Sequence, residues 1–132
     1  MKNTIVLTTI IAMFTCFTSS CKKEKEEEAR AKFFGSFNAV TNCDVTAYTV
    51  TISTSNLGEN YVTIENLLDD QSLPVFGILQ SNNSITISQQ TVSSYIVSGN
   101  IEFDNDVITS TIYYNESVAG VNNTCYGNLT RL

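Results

Sequence analysis

Histidine is missing altogether, tryptophan is missing too, and proline occurs once. From residue 33 onward lysine is also missing, and Arg131 is the single cation. Without His or Lys, that region lacks the commonest general bases and any Schiff-base amine. No Cys/His spacing suits zinc. No glycine-rich loop runs into a helix to cradle phosphate, so no cofactor is expected. One cation against nine acids leaves residues 33–132 at a net −8. That balance excludes nucleic acid as a partner, because binding it rests on Lys and Arg neutralising phosphates.

What acid–base chemistry is left would fall to carboxylates. A glycosidase needs two of them, and Asp69–Asp70 and Asp104/Asp106 are the candidates. Both pairs sit where turns are expected, and Asp in turns serves the backbone. "DND" at 104–106 offers calcium its oxygen ligands but lacks the glycine and distal glutamate of a usable loop. The expectation is a domain with no catalytic residue.

At the other end of the chain there is an apolar leader. Lys2 is followed by Ile5, Val6, Leu7, Ile10, Ile11, Met13, Phe14 and Phe17. This is the length of a signal-peptide core rather than of a membrane-spanning helix, which needs about 20 apolar residues. Small residues then precede Cys21: Thr18, Ser19 and Ser20. A peptidase site admits only small side chains there, and a cysteine just beyond it has a thiol able to carry a diacylglycerol. "TSSC" resembles the lipobox of bacterial lipoproteins, with Thr18 where leucine is commoner. Cys16 is the weaker candidate, because Phe14 and Thr15 precede it inside the apolar core. Residues 1–20 therefore read as a lipoprotein signal peptide and Cys21 as the lipid attachment site.

After Cys21 the chain turns at once to "KKEKEEEARAK", residues 22–32, too polar to join a core. Lys22/Glu26, Lys23/Glu27, Glu26/Arg30 and Glu28/Lys32 stand at helical spacing. Each such pair adds about 0.2–0.5 kcal/mol, enough to bias residues 21–32 toward a partly helical tether. The same run resembles the acidic patch behind the acylated cysteine of surface lipoproteins in the Bacteroidetes group. That resemblance implies outer-membrane anchoring with surface display; a plain spacer facing the periplasm is the alternative.

Residues 33–132 form one domain of short segments rich in Val, Ile, Thr, Tyr and Phe, broken by Gly, Asn and Asp. "VTAYTVTIST" (45–54) alternates Tyr48, Val50 and Ile52 with Thr49, Thr51 and Ser53, the period of a half-buried strand. "SITISQQ" (84–90) and "YIVSGNIEF" (95–103) repeat it, and "DVITSTIYY" (106–114) is apolar on both faces. Adding 33–40, 61–68, 73–80 and 124–132 brings eight expected strands. "NLGEN" (56–60), Asn82–Asn83 and Asn105–Asp106 suit tight reversals. Only 67–73 leaves room for a helical turn. Gly99, in mid-strand, marks a bulge or a sharp coil of the sheet. The apolar face supplies an inward set of Phe37, Tyr48, Val50, Ile52, Ile64, Ile85, Ile87, Tyr95, Val97, Ile101, Phe103 and Leu129.

Eight antiparallel strands with one polar face hide the other in a closed barrel or a two-sheet sandwich. With Cys16 cleaved away and Cys21 acylated, Cys43 and Cys125 are left for a disulfide in an oxidising compartment. Cys43 falls at the end of the first strand and Cys125 at the start of the last. An up-and-down barrel brings those points together, which favours it over the sandwich. A membrane-spanning barrel would need an apolar outer band, whereas Thr, Ser and Asn fill the outward positions. Four N-x-S/T matches, at 82–84, 115–117, 122–124 and 128–130, read as turn asparagines rather than glycosylation sites.

"FFGSFNAVTNC", "SITISQQTV", "SGNIEFDNDVITSTIYY" and "TCYGNLTRL" together resemble the small lipocalin-like lipoproteins of Bacteroidetes. Gly35-Ser36-Phe37, met at the far end by Arg131, is similar to the Gly-x-Trp and distal cation that close the floor of lipocalin barrels, with Phe37 in place of Trp. The resemblance implies a Phe37–Arg131 closing pair. Arg131 would otherwise serve an anionic ligand in the barrel mouth. Two functional readings follow. One is an interaction or structural module with a filled interior, meeting a protein or glycan at the cell surface. The other is binding of one small apolar ligand, which an eight-stranded barrel is just wide enough to hold. The bulk of the inward set favours the first.

Overall fold

The computed structural model describes residues 30–69, 74–81, 83–116 and 120–132. The chain divides into residues 1–32 and 33–132. Of the first unit, Arg30 and Ala31 are helical, while the signal segment, Cys16, Cys21 and most of the tether lie outside the described residues.

Eight strands follow in order: β1 (Gly35–Thr41), β2 (Tyr48–Thr54), β3 (Tyr61–Glu65), β4 (Val75–Leu79), β5 (Ser84–Val92), β6 (Tyr95–Asp104), β7 (Val107–Glu116) and β8 (Val121–Arg131). Each pairs antiparallel with its sequence neighbour, and β8 returns to pair with β1, giving a closed up-and-down barrel. The barrel, not the sandwich, is the fold. The alternation seen in the sequence becomes the inside and outside of the wall, because successive side chains of a strand point to opposite faces. In β2, Tyr48, Val50 and Ile52 are buried, while Thr49 faces solvent and Thr51 and Ser53 are half-buried.

Short reversals use left-handed residues where expected and in one unexpected place. Asn83 and Asn105 adopt φ of 62° and 53° in the β4–β5 and β6–β7 turns, and Ser93 adopts 56° between β5 and β6. Asn tolerates this conformation readily; Ser does so less often. Of the expected helical turn at 67–73, residues 70–73 lie outside the described residues, and Asn66 (φ 58°) through Asp69 form bends and a turn.

One register slip occurs, in β5 between Ile87 and Gln90, where an extra residue faces β6. The sequence suggested a bulge at Gly99. Instead Gly99 is regularly paired with both Ile87 and Ile112, and it is glycine because β7 comes too close. A Cβ there would sit 2.4 Å from the Thr111 carbonyl oxygen and 2.9 Å from Ile112 Cδ1.

Candidate functional site

The β1–β8 seam closes the barrel, and two of its register positions carry the expected site residues. At one end Phe37 lies opposite Arg131. The guanidinium carbon of Arg131 stands 5.1 Å from the centre of the Phe37 ring, and its Nη1 donates to the Phe34 carbonyl at 2.9 Å. Gly35 makes this approach feasible. Its φ of 134° excludes most side chains, and a Cβ would lie 3.0 Å from Arg131 Nη1. Beneath the guanidinium, Phe103 receives the ring of Phe33 edge-on at 4.6 Å and that of Phe37 at 6.3 Å. Three aromatic rings therefore plug this end, and Arg131 belongs to the plug rather than to a ligand mouth.

At the other end the same ladder runs on past β1. Asn42 N–H donates to the Tyr126 carbonyl at 3.0 Å, and Tyr126 N–H donates back to Asn42 Oδ1 at 2.7 Å. One position further, Cys43 is joined to Cys125 by a disulfide with Cα atoms 5.5 Å apart. Cys43 lies two residues beyond β1, and Cys125 sits within β8 rather than at its start, because β8 begins at Val121. Thr41 shapes the intervening turn. Its hydroxyl donates to Asp44 Oδ2 at 2.8 Å and accepts from the N–H groups of Cys43 and Asp44.

Beside this turn the Tyr48 hydroxyl donates to the Leu67 carbonyl at 3.0 Å. Burial, reinforced by the carboxylates of Asp44 and Asp69, pushes the Tyr48 pKa up to about 12. Leu67 is buried, and Tyr95 packs edge-on against Tyr114 at 5.9 Å.

Between the two ends the interior is solid. Phe37, Ile52, Ile64, Ile85, Ile87, Ile101, Val50, Val62, Val75 and Val97 each keep less than 2% of their surface accessible, so no water-sized space touches them. Even the inward glycines are crowded: a Cβ on Gly77 would lie 2.4 Å from Ile85 Cγ2, and one on Gly127 would lie 2.8 Å from Ser110 Oγ. Every expected inward residue is buried except Tyr95, which is half-buried. Phe33, Ala39, Val62, Leu67, Val75, Val92 and Ile112 complete the core.

The outer wall carries a concavity. A groove of about 610 Å³ is lined by Gln80, Ser81, Ser84, Thr86 and Asn100, all neutral and polar. Of the carboxylates weighed for catalysis or calcium, Asp69 is exposed in the turn after β3. Asp104 accepts from Asn105 Nδ2 at 3.0 Å within the exposed β6–β7 turn, Asp106 is exposed in that turn, and Asp70 lies outside the described residues. Among the described residues no group of three or more His, Cys, Asp or Glu is placed to hold a metal ion.

The chain matches no protein-family model, no curated protein and no solved structure.

Proposed function

We propose that this chain is an outer-membrane lipoprotein, anchored through an acyl group on Cys21, related to the lipocalin-like lipoproteins of Bacteroidetes and displayed at the cell surface. In this reading its barrel is a non-catalytic interaction module that works through its outer wall. The observation that carries the reading is the filled interior. Ten apolar side chains each keep less than 2% of their surface accessible inside a barrel of the size that elsewhere holds one small ligand. Recognition then falls to outward side chains, and the anchor is what places them. The lack of His and Lys in residues 33–132, with Cys43 and Cys125 oxidised, supports a role without chemistry.

Native mass spectrometry of the full-length chain, extracted from its membrane under oxidising conditions, tests both halves. The expected species carries one covalent lipid mass that the Cys21→Ala variant loses, and nothing else. A stoichiometric mass released on denaturation would replace the filled module with a carrier of a small apolar ligand.

A further inference from the structure

The outer wall is not uniform, and one sector of it has the chemistry of a sugar-binding surface. Register places Thr86, Asn100, Thr111 and Tyr126 side by side across β5, β6, β7 and β8. The backbone bond from Asn42 N–H to the Tyr126 carbonyl, and the one from Tyr126 N–H to Asn42 Oδ1, carry the row on to the β1 side. With neighbouring strands about 4.8 Å apart, the five positions follow about 19 Å of curved wall, half-way round the eight-stranded barrel, so a short oligosaccharide touches neighbouring members of the row rather than all of it. Ser98, Tyr113 and Thr124 form the next row. Tyr113 and Tyr126 are diagonal neighbours on β7 and β8, and they expose 52% and 59% of their surface.

Neither row contains a charged side chain, in a domain whose net charge is −8. Two carboxylates border the sector: Glu102, one row below and opposite Thr109, and Asp44, which accepts from the Thr41 hydroxyl in the turn beside Asn42. Glu102 is engaged by Asn100 Nδ2 at 2.9 Å. Thr86 and Asn100 also line the 610 Å³ groove, so the row begins in a depression and ends on two aromatic faces.

We propose that this sector, the outer face of β5–β8 with Asn42, binds a neutral oligosaccharide. A saccharide presents hydroxyls that both donate and accept, and side-chain amides and hydroxyls answer in both senses. It also presents flat C–H faces, which tyrosine rings cover while keeping their own hydroxyls wet. An anionic polymer would meet uncompensated negative charge. A standard protein partner would seek an apolar centre anchored by Trp, Tyr, Met or Arg; the two rows hold the tyrosines, but Ser, Thr and Asn stand around them in place of an apolar centre. The assignment rests on the interaction-module reading and gives that module its ligand class.

The test is electrophoresis of the full-length chain, in a detergent without sugar groups, through native gels containing dextran, starch, mannan, xylan or mixed-linkage glucan. Polygalacturonate serves as the anionic contrast. The expected result is retardation by at least one neutral polymer and not by polygalacturonate. The Tyr113→Ala/Tyr126→Ala variant should lose it at least tenfold, and Asn100→Ala should weaken it. Both rings are exposed, so an unchanged melting temperature confirms that the variant is folded; if it is not, single Tyr→Ser variants take its place. Retardation that survives loss of both rings overturns the site, and retardation by polygalacturonate alone overturns the ligand class. No retardation by any neutral polymer overturns the proposal but leaves the interaction module standing, since that reading falls only if the interior releases a small molecule.

Discussion

The side-chain amide of Gln90 completes a strand pairing that the backbone leaves unfinished at Phe76. Gln90 Oε1 accepts from the Phe76 N–H at 2.9 Å, and Nε2 donates to the Phe76 carbonyl at 2.7 Å. Between β4 and β5 only Ile78/Thr86 and Leu79/Ile85 are in register. The bulge between Ile87 and Gln90 sets this up, because the extra residue carries β5 out of step. An amide is the one side chain that reproduces both halves of a peptide pairing.

Replacing Gln90 with Ala therefore opens this stretch of wall. We expect a loss of about 1–2 kcal/mol for two hydrogen bonds in a partly exposed site. The Phe76 amide should exchange with deuterium markedly faster, while amides along β6–β8 keep their rates. Gln90→Glu should be nearly as harmful, since it retains the acceptor but sets an anion against the Phe76 carbonyl. Hydrogen exchange read by NMR distinguishes this local opening from a general loss of stability.

The disulfide closes a loop of 82 residues, and chain entropy assigns such a link about 4 kcal/mol. Cys43→Ala/Cys125→Ala should lower the urea midpoint accordingly while keeping the β-rich circular dichroism of the barrel. The Asn42–Tyr126 pairing stays, so the seam weakens without unzipping. Equilibrium urea denaturation of both forms checks this.

At the opposite end of the seam, Arg131→Ala removes the hydrogen bond to Phe34 and the cation above Phe37. The two together stabilise the fold by about 1–2 kcal/mol. Gly35→Ala should cost a similar amount, because its φ of 134° is strained for alanine and the new methyl crowds Arg131 Nη1. Residues that share a partner do not add independently. In the double variant the penalty should fall short of the sum, since removing the guanidinium frees the space that the methyl needs. A double-mutant cycle by thermal or urea unfolding measures the coupling.

Tyr48 makes the barrel sensitive to alkali. Its native pKa lies near 12 against an unfolded value of 10.0, so the folded state favours the protonated phenol. That preference is fully present below pH 10 and is lost as pH rises toward 12. Two pKa units correspond to about 2–3 kcal/mol. Asp44 and Asp69 act in the same direction as burial. Tyr48→Phe should be less stable at pH 7 by about 1–2 kcal/mol, because the buried Leu67 carbonyl loses its donor. The gap to the parent should close or reverse by pH 12. Urea unfolding at pH 7, 10 and 11.5 tests the crossing.

The sequence revealed the strands more readily than the ends. β2 and the first half of β5 were legible because one face must be apolar and the other wet, which forces a period of two. β7 was ambiguous, with Ile112, Tyr113 and Tyr114 in succession, and only pairing with β8 shows Ile112 buried and Tyr113 exposed. Phe33 was missed as a core residue because it precedes β1 and acts by folding across the barrel end, which no strand period describes. Gly99 signalled a special position and was misread in kind: the close approach of Thr111, not a bulge, requires it. The bulge fell on the neighbouring strand, at Ser88–Gln89, in residues with no distinguishing chemistry. Gln90 looked like one polar residue among several, and its partner lies on the neighbouring strand, 14 residues away. The Cys43–Cys125 bond and the Phe37–Arg131 pair were within reach because an up-and-down topology fixes the last strand against the first. Which outer sector is uncharged could be read only once the rows were aligned.

Closure of β8 onto β1 has a consequence for how this molecule can associate. A sheet with two ends offers each end as a template on which another chain can add a strand, and many proteins spend charges and prolines on blunting it. This sheet has no ends. Its single proline is Pro74, just before β4, and the outward positions of β1 and β8 carry no lysine. With the ladder occupied all the way round, copies held at high density have no backbone through which to polymerise. Where neighbouring strands part, side-chain amides cover the peptide groups: Gln90 at Phe76, between β4 and β5, and Asn66 at the Thr49 carbonyl, between β2 and β3.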